Sequence, residues 1–94
     1  MVEIRWSPIA TNDYESLIKY YETTAPKFAQ NLAKKIMYII ENLIRFPKMG
    51  RIVPELENVE IREIIYRNFR VIYRLKENIL EIVRIIHGSR LMRI

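Results

Sequence analysis

Arginines recur through the last third of the chain, in segments whose apolar pattern otherwise predicts buried strands. The stretch NFRVIYRLKENILEIVRIIHGSR, residues 68–90, contains Arg70, Arg74, Arg84 and Arg90. A guanidinium group is planar and can donate two parallel hydrogen bonds to a phosphate or a carboxylate. The pattern therefore indicates a surface that binds a polyanion or an acidic protein. The alternative is that these arginines simply decorate the strands.

Three arginines stand out as candidate site residues for different reasons. Arg70 has the best case for a function, because it flanks core-facing residues on the predicted central strand. Arg90 follows Gly88, whose backbone freedom would let a side chain reach a site. Arg62 lies in EIREII and either pairs with Glu63 or Glu81 or belongs to the site, and the sequence leaves both open.

His87 is the only histidine in the chain, and it lies where the last predicted strand ends. As a neutral imidazole it could act as a general base beside the arginines, although a lone histidine is more often a structural hydrogen-bonding group. One histidine without any cysteine cannot supply the usual ligands of a zinc site. The sequence also has no glycine-rich phosphate loop and no nucleophile elbow. We therefore expect neither a metal nor another cofactor.

Length and composition indicate one small, basic domain. The 94 residues carry a net charge of +5. Residues 1–50 contain five lysines and two arginines, whereas residues 51–94 contain eight arginines and one lysine, so the second half is the one suited to bidentate contacts. The absence of cysteine, of a long apolar run and of a signal-like N-terminus predicts a soluble, cytoplasmic protein without a membrane partner.

Hydrophobic periodicity predicts a strand, two helices and three further strands. Ser7 is a good N-cap for the first helix, Thr24 is a candidate N-cap for the second, and Pro47 ends the second helix. The segment 46–60 contains two prolines and is predicted to be a loop whose acidic residues cap or screen nearby arginines. The predicted elements are strand 2–6, helix 8–23, a second helix that has Pro26 in its first turn and runs to about Phe46, and strands 60–66, 69–76 and 79–87.

This order predicts a two-layer α+β domain, in which a helix hairpin covers one face of an antiparallel sheet of three to four strands. The last three strands would form a meander, and the first strand would join an edge. Alternation along the strand 69–75 places Phe69 and Tyr73 under the helices and Arg70 and Arg74 on the opposite face. We expect that opposite face to be an uncovered basic groove in which the guanidinium groups stay in water.

The whole chain resembles the RelE/ParE superfamily, the toxins of type II toxin–antitoxin modules. Five pieces carry the resemblance together, in this order and at this spacing: Trp6 with Ala10, FPKMGRIVPEL (46–56), REI (62–64), NFRVIYRL (68–75) and IIHGSR (85–90). The resemblance implies a β-α-α-β-β-β fold over residues 1–94 as a single toxin domain. It also implies that Arg70 and Arg90 match the arginines of the family's central strand and of the segment after its last strand.

The superfamily divides into two activities, and the resemblance alone leaves both open. RelE-like toxins are ribosome-dependent mRNA endonucleases, for which His87 would be the base, Arg70 and Arg90 the phosphate clamps, and Arg62 an assisting cation. ParE-like toxins, of the plasmid-stabilisation type, inhibit DNA gyrase by binding. Arg62 and Glu63 stand where RelE-like members carry lysines, and the chain ends at Ile94 without a C-terminal tyrosine. These departures favour the ParE-like function.

A third interpretation is an inactive member that serves only as an antitoxin-binding protein. All three interpretations predict an acidic antitoxin as partner. Its apolar helix would lie along the helix hairpin, or its acidic tail would occupy the arginine groove. The target would be either DNA gyrase or the ribosome with its mRNA. A homodimer and a toxin–antitoxin hetero-oligomer are both compatible with the sequence.

Overall fold

A computed structural model describes residues 2–88, in which two helices pack on one face of a five-stranded sheet. The elements are β1 (Glu3–Trp6), α1 (Pro8–Thr24), α2 (Pro26–Arg45), β2 (Arg51–Ile52), β3 (Ile61–Tyr66), β4 (Phe69–Lys76) and β5 (Ile79–His87). The predicted two-layer α+β fold and the predicted order of elements are confirmed. None of the helices in this part of the chain is long and apolar enough to cross a bilayer.

The sheet has the strand order β1-β5-β4-β3-β2, so β4 lies at its centre. β3, β4 and β5 form the predicted antiparallel meander, and β1 joins an edge beside β5. The sheet differs from the predicted antiparallel sheet of three to four strands in being mixed and in having one more strand. β1 runs parallel to β5, and β2 adds a fifth strand. Two residues are too few to show alternation, and strand direction is not encoded in the local pattern of either segment.

Helix α1 begins with the N-cap that the sequence predicted. The Ala10 backbone N–H donates to Ser7 Oγ at 3.0 Å, and Ser7 Oγ in turn donates to the Val83 carbonyl at 2.9 Å. One hydroxyl thus caps the helix and ties it to β5. The prediction that Thr24 caps α2 was wrong, because Ala25 occupies the N-cap position and makes no side-chain hydrogen bond there. Thr24 Oγ1 donates back to the Tyr20 carbonyl instead.

The main core lies between the helix hairpin and the sheet. Side chains of β4 that point toward the helices are almost fully buried, with Phe69 at 4 % exposure and Val71 and Tyr73 at 0 %. The apolar stripe of α2 covers them. The other buried members of this core are Ala10, Leu32, Ile36, Ile39, Ile40, Leu43, Leu80, Ile82 and Ile85.

A second, smaller core lies on the opposite face of the sheet. Val53 from the loop after β2 packs against Ile61, Ile72 and Ile86, with Leu56 at its margin. The expectation of an uncovered face was therefore wrong. The central strands carry apolar residues on both faces, so the second face also gains from being removed from water, and the loop between β2 and β3 supplies the apolar groups that cover it.

Candidate functional site

Arg70 is the second residue of the central strand β4 and lies beneath the loop between β2 and β3. Its Nε donates to Glu63 Oε1 at 2.6 Å. Its two terminal nitrogens donate to both carboxylate oxygens of Glu55, at 2.7 and 2.9 Å. Arg70 is only 5 % exposed, so the expectation that its guanidinium group stays in water was wrong. The loop carries both the apolar groups and the carboxylate that cover it.

The ion pairs continue across three strands. Glu63, which is 1 % exposed, accepts a second hydrogen bond from Arg51 Nε at 2.6 Å. The network therefore joins β2, β3, β4 and the loop, and its two guanidinium groups face two carboxylates. The hydrogen bonding that Arg70 donates to Glu55 is the largest cause that raises the pKa of Arg70, while burial acts in the opposite direction. Within this network the guanidinium group of Arg70 is bound by the chain's own carboxylates.

Arg62 supports a loop. It does not pair with Glu63 or Glu81, which was one of the two possibilities that the sequence left open. Its Nη1 donates to the Gly50 carbonyl at 2.8 Å and makes a longer contact of 3.4 Å to the Lys48 carbonyl. Beside it, the Tyr73 hydroxyl donates to the Pro47 carbonyl at 2.7 Å and accepts from the Gly50 N–H at 3.0 Å. Arg62 and Tyr73 thus fix the backbone of residues 47–50.

His87 is exposed at the end of β5, and its ring meets that of Phe69 edge-on, with centroids 5.8 Å apart. The two residues are also paired in the sheet, so His87 lies on the face that packs on the helices. Arg70, the next residue after Phe69, points to the opposite face. The structure therefore does not bring His87 and Arg70 together, and Arg90 lies outside the described residues.

Two further arginines of the meander, Arg84 and Arg74, differ in their surroundings. Arg84 makes a bidentate ion pair with Asp13 of α1, with Nε at 2.7 Å and Nη2 at 3.0 Å from the carboxylate oxygens. This hydrogen bonding raises the pKa of Arg84. Arg74 lines a pocket of about 250 Å³ together with Arg5 and Lys76. Its buried Nε has no hydrogen-bond partner among residues 2–88.

The helix hairpin carries a shallow groove of about 470 Å³ between its two helices. Met37 and Tyr38 of α2 are 37 % and 56 % exposed there. Lys34 and Glu41 line the same groove, and the Lys35 ammonium lies 5.0 Å from the Tyr38 ring. The groove thus combines apolar surface with charged side chains of both signs. Over residues 2–88, histidine and acidic side chains do not form any group that could hold a metal ion.

The sequence model of one family matches almost the whole chain. The family is described as the ParE toxin of the type II toxin–antitoxin system parDE, and the match covers residues 4–92. The chain belongs to the ParE toxin family. The resemblance to RelE/ParE toxins is thereby confirmed, and so is the assignment of this ParE family member as a type II toxin component.

Solved structures with the same fold include toxin–antitoxin proteins from two bacteria. A chain of the chromosomal ParDE system from P. aeruginosa superimposes with a TM-score of 0.77 at 22 % identity, covering 95 % of this chain and 98 % of that one. Chains of YoeB–YefM complexes from Staphylococcus aureus reach TM-scores of 0.54 and 0.55, also at 22 % identity, and cover 89 % and 90 % of this chain and 93 % and 94 % of theirs. No curated protein matches the chain.

Two carboxylates of this ParE family member bind arginines of the sheet in pairings that the sequence does not predict. A single carboxylate on a helix, such as Asp13, shows no pattern that ties it to a strand. Glu55 was expected only to cap or screen arginines in general. The available signal was the clustering of acids in the loop 55–60, just before the three strands that carry most of the arginines. Which acid meets which arginine depends on the path of that loop.

Proposed function

We propose that this toxin arrests growth by binding DNA gyrase rather than by cutting RNA. The proposal joins the ParE family membership to the state of one residue, Arg70. An RNA-cleaving site would need this guanidinium group free to stabilise the charged phosphorane. Here it is 5 % exposed and its donors are directed at Glu55 and Glu63. A toxin that acts by surface contact needs no such free cation.

The alternative function is a ribosome-dependent mRNA endonuclease with His87, Arg90, Arg70 and Arg62 as its site. Arg62 and Arg70 both donate hydrogen bonds to loop residues, which supports a structural role for the two side chains. His87 lies on the other face from Arg70. These observations favour the binding function. The endonuclease and the inactive antitoxin-binding member remain as outcomes that the experiment below distinguishes.

The antitoxin would bind at the groove of the helix hairpin. The second location considered from the sequence, the arginine groove, is covered by the loop between β2 and β3, and Arg70 already has carboxylate partners there. The hairpin groove offers exposed apolar side chains, Met37 and Tyr38, and its charged lining residues are Lys34 and Glu41. An amphipathic helix fits this surface when its apolar face meets Met37 and Tyr38 and its acidic residues lie on the side of Lys34, away from Glu41.

The decisive experiment measures both activities with the same purified toxin. Supercoiling of relaxed plasmid by DNA gyrase is followed at increasing toxin concentration, and messenger RNA ends are mapped in a translating extract. We expect inhibition of supercoiling without new RNA ends. The double substitution His87→Ala with Arg90→Ala should leave gyrase inhibition within about twofold of the wild type, since both residues were candidates only for the nuclease.

Other results would contradict the proposal. New RNA ends that need translating ribosomes, and that disappear in the double variant, would assign the endonuclease function. A toxin that inhibits neither process, but still binds a small acidic protein encoded by a neighbouring gene, would assign the inactive antitoxin-binding role. Circular dichroism of the double variant serves as the control that its fold is intact.

A further inference from the structure

Glu55 lies on the solvent side of the ion pairs that surround Arg70. The Glu55 side chain keeps 24 % of its exposure, whereas the Arg70 side chain keeps 6 % and the Glu63 side chain 0 %. Arg70 donates to both carboxylates, so the three side chains are joined in series. The Glu55 carboxylate therefore lies between the terminal nitrogens of Arg70 and the surface of the loop.

The contact between Arg70 and Glu55 has the geometry with which arginine binds phosphate. Nη1 and Nη2 of Arg70 donate to separate oxygens of the Glu55 carboxylate, at 2.7 and 2.9 Å. The two non-bridging oxygens of a phosphodiester accept from a guanidinium group in the same forked arrangement and also share one negative charge. Glu55 thus occupies the position that a nucleic-acid phosphate would take on Arg70.

The loop carboxylate also balances the charge of this part of the sheet. Within residues 2–88, the ion pairs join two arginines, Arg51 and Arg70, to two carboxylates, Glu55 and Glu63. Without Glu55 the same four-residue network would carry one positive charge in excess. A positive excess at a guanidinium group is what attracts the backbone of a nucleic acid.

The adjoining part of the same face does not supply such an excess by itself. Arg74 is paired in the sheet with Ile61 of the second core, and it lies in the pocket of about 250 Å³. The charged residues that line this pocket are of both signs: Arg5, Arg74, Lys76, Glu77 and Glu81. Because these charges largely cancel, the balance at Arg70 decides whether the face attracts a polyanion.

The loop holds Glu55 over Arg70 by contacts that do not involve the ion pair. Val53, two residues before Glu55, is fully buried in the second core. On the other side, the Asn58 carbonyl accepts from the Ile61 N–H at 3.0 Å. A carboxylate that its own backbone holds in place loses little conformational entropy on binding, so an external phosphate competes with it at a disadvantage.

We propose that Glu55 is a specificity-determining residue, which closes the Arg70 site to nucleic-acid phosphate. The inference rests on the proposed function, in which the toxin binds gyrase and does not cut RNA, and it adds the residue that keeps RNA away from the sheet. Replacing Glu55 with a small neutral residue takes the carboxylate away from the terminal nitrogens of Arg70. The sheet face of that variant then binds the phosphates of single-stranded RNA.

The test compares two variants of the loop that lose the same charge. Glu55→Ala removes the carboxylate on Arg70, and Glu57→Ala removes an exposed carboxylate two residues farther along the loop. Binding of a labelled single-stranded RNA is followed by fluorescence anisotropy at about 50 mM salt. The Kd of Glu55→Ala should lie at least about tenfold below that of Glu57→Ala, as expected for one gained hydrogen-bonding contact to a charged group.

Salt dependence and a second substitution provide independent readouts. The slope of log Kd against log salt should be steeper for Glu55→Ala than for Glu57→Ala by about 0.7, the value for one phosphate contact on a single strand. Adding Arg70→Gln to Glu55→Ala should abolish the gain in affinity. Circular dichroism checks the fold of each variant, and the salt slope remains as the readout if the double variant does not fold.

Three results would overturn the inference. The first is an equal Kd and an equal salt slope for Glu55→Ala and Glu57→Ala. The second is a gain in affinity that persists when Arg70→Gln is added in a folded double variant. The third is a gain in affinity for a polyglutamate peptide without any gain for RNA, since the opened site would then select carboxylates of a protein.

The gyrase assay on the same proteins separates this inference from the proposed function. If the wild type inhibits gyrase but Glu55→Ala binds RNA no better than Glu57→Ala, only the inference fails. If the wild type does not inhibit gyrase and Glu55→Ala nevertheless gains RNA affinity through Arg70, the proposed function fails and the role of Glu55 stands. A wild type that already binds RNA as tightly as Glu55→Ala would contradict both.

Discussion

Arg70 and Glu55 form a bidentate ion pair that fastens the loop between β2 and β3 to the centre of the sheet. The two hydrogen bonds are 2.7 and 2.9 Å long, and the Arg70 side chain keeps only 6 % of its exposure. The pair links residues 15 positions apart in the sequence. Arg70, the residue with the best sequence-based case for a function, is thereby held in place as a structural cation.

Glu55→Gln should destabilise the fold by about 2 kcal/mol, because it removes a charge that faces a buried guanidinium group while Glu63 remains as a partner. Urea denaturation followed by circular dichroism measures this difference in the free energy of unfolding. Glu57→Gln is the matched control, since Glu57 lies exposed in the same loop. A loss in Glu55→Gln no larger than that in Glu57→Gln would contradict the structural role of the ion pair.

Tyr73→Phe should reduce the free energy of unfolding by about 1–3 kcal/mol, because it leaves the Pro47 carbonyl and the Gly50 N–H without their partner in a buried position. Tyr38→Phe, on the exposed face of α2, is the control and should change little. Both are compared by urea denaturation at neutral pH. Hydrogen exchange of the Gly50 amide should accelerate in Tyr73→Phe, and an unchanged exchange rate would argue against the loop anchor.

The buried hydroxyl of Tyr73 should make the fold less stable at alkaline pH. Burial raises the pKa of the Tyr73 hydroxyl above its ordinary value, so the folded state retains this proton while the unfolded chain releases it. The folded state binds more protons than the unfolded state above about pH 10, and stability therefore falls by up to about 1.4 kcal/mol per pH unit until Tyr73 ionises in the folded protein.

Thermal denaturation between about pH 9 and pH 11 should show this decline in the wild type and a smaller one in Tyr73→Phe. Burial also raises the pKa of Tyr14, so part of the decline should persist in the Tyr73 variant. The double variant Tyr14→Phe with Tyr73→Phe should be flatter still. Parallel curves for the wild type and the double variant would exclude these two hydroxyls as the source of the alkaline transition.

Gly50→Ala should be one of the most damaging small substitutions in the loop. A Cβ atom at Gly50 would lie 2.7 Å from the Glu63 carbonyl oxygen and 2.7 Å from the Tyr73 hydroxyl oxygen. The carbonyl belongs to a paired strand and cannot move freely, so we expect a cost of about 2–3 kcal/mol. Gly88→Ala is the control, because its nearest contact would be 3.2 Å, to the Asn68 carbonyl oxygen. Equal melting temperatures for the two variants would contradict this prediction.

Asp13→Asn should loosen α1 from β5. Asp13 accepts from Arg84 Nε and Nη2 and from the Ile85 backbone N–H at 3.0 Å, so it covers part of the strand edge beyond β1. We expect a loss of about 2 kcal/mol in the free energy of unfolding, together with faster hydrogen exchange at the Ile85 amide. Glu15→Gln, on the exposed side of the same helix, should leave both quantities unchanged.

The strand β4 shows what the alternation of side chains could predict and what it could not. Alternation along β4 correctly separated Val71 and Tyr73, which face the helices, from Arg70 and Ile72, which face away. The pattern could not tell whether the second face would be open or covered. Ile72 was the warning, since an apolar residue on a face expected to be solvated needs another apolar group above it, and Val53 provides that group.

The sequence by itself determined the two helices, four of the five strands, their order and the packing of the helices on one sheet face, because periodicity is a local property of neighbouring residues. It also carried the family resemblance, since the motifs recur in order along the chain. Only the tertiary structure decided the partners of the charged residues. Asp13 and Arg84 are 71 positions apart, and Glu55 reaches Arg70 only because the loop crosses the sheet. Such pairings depend on the path of the chain between the residues, which no local pattern contains.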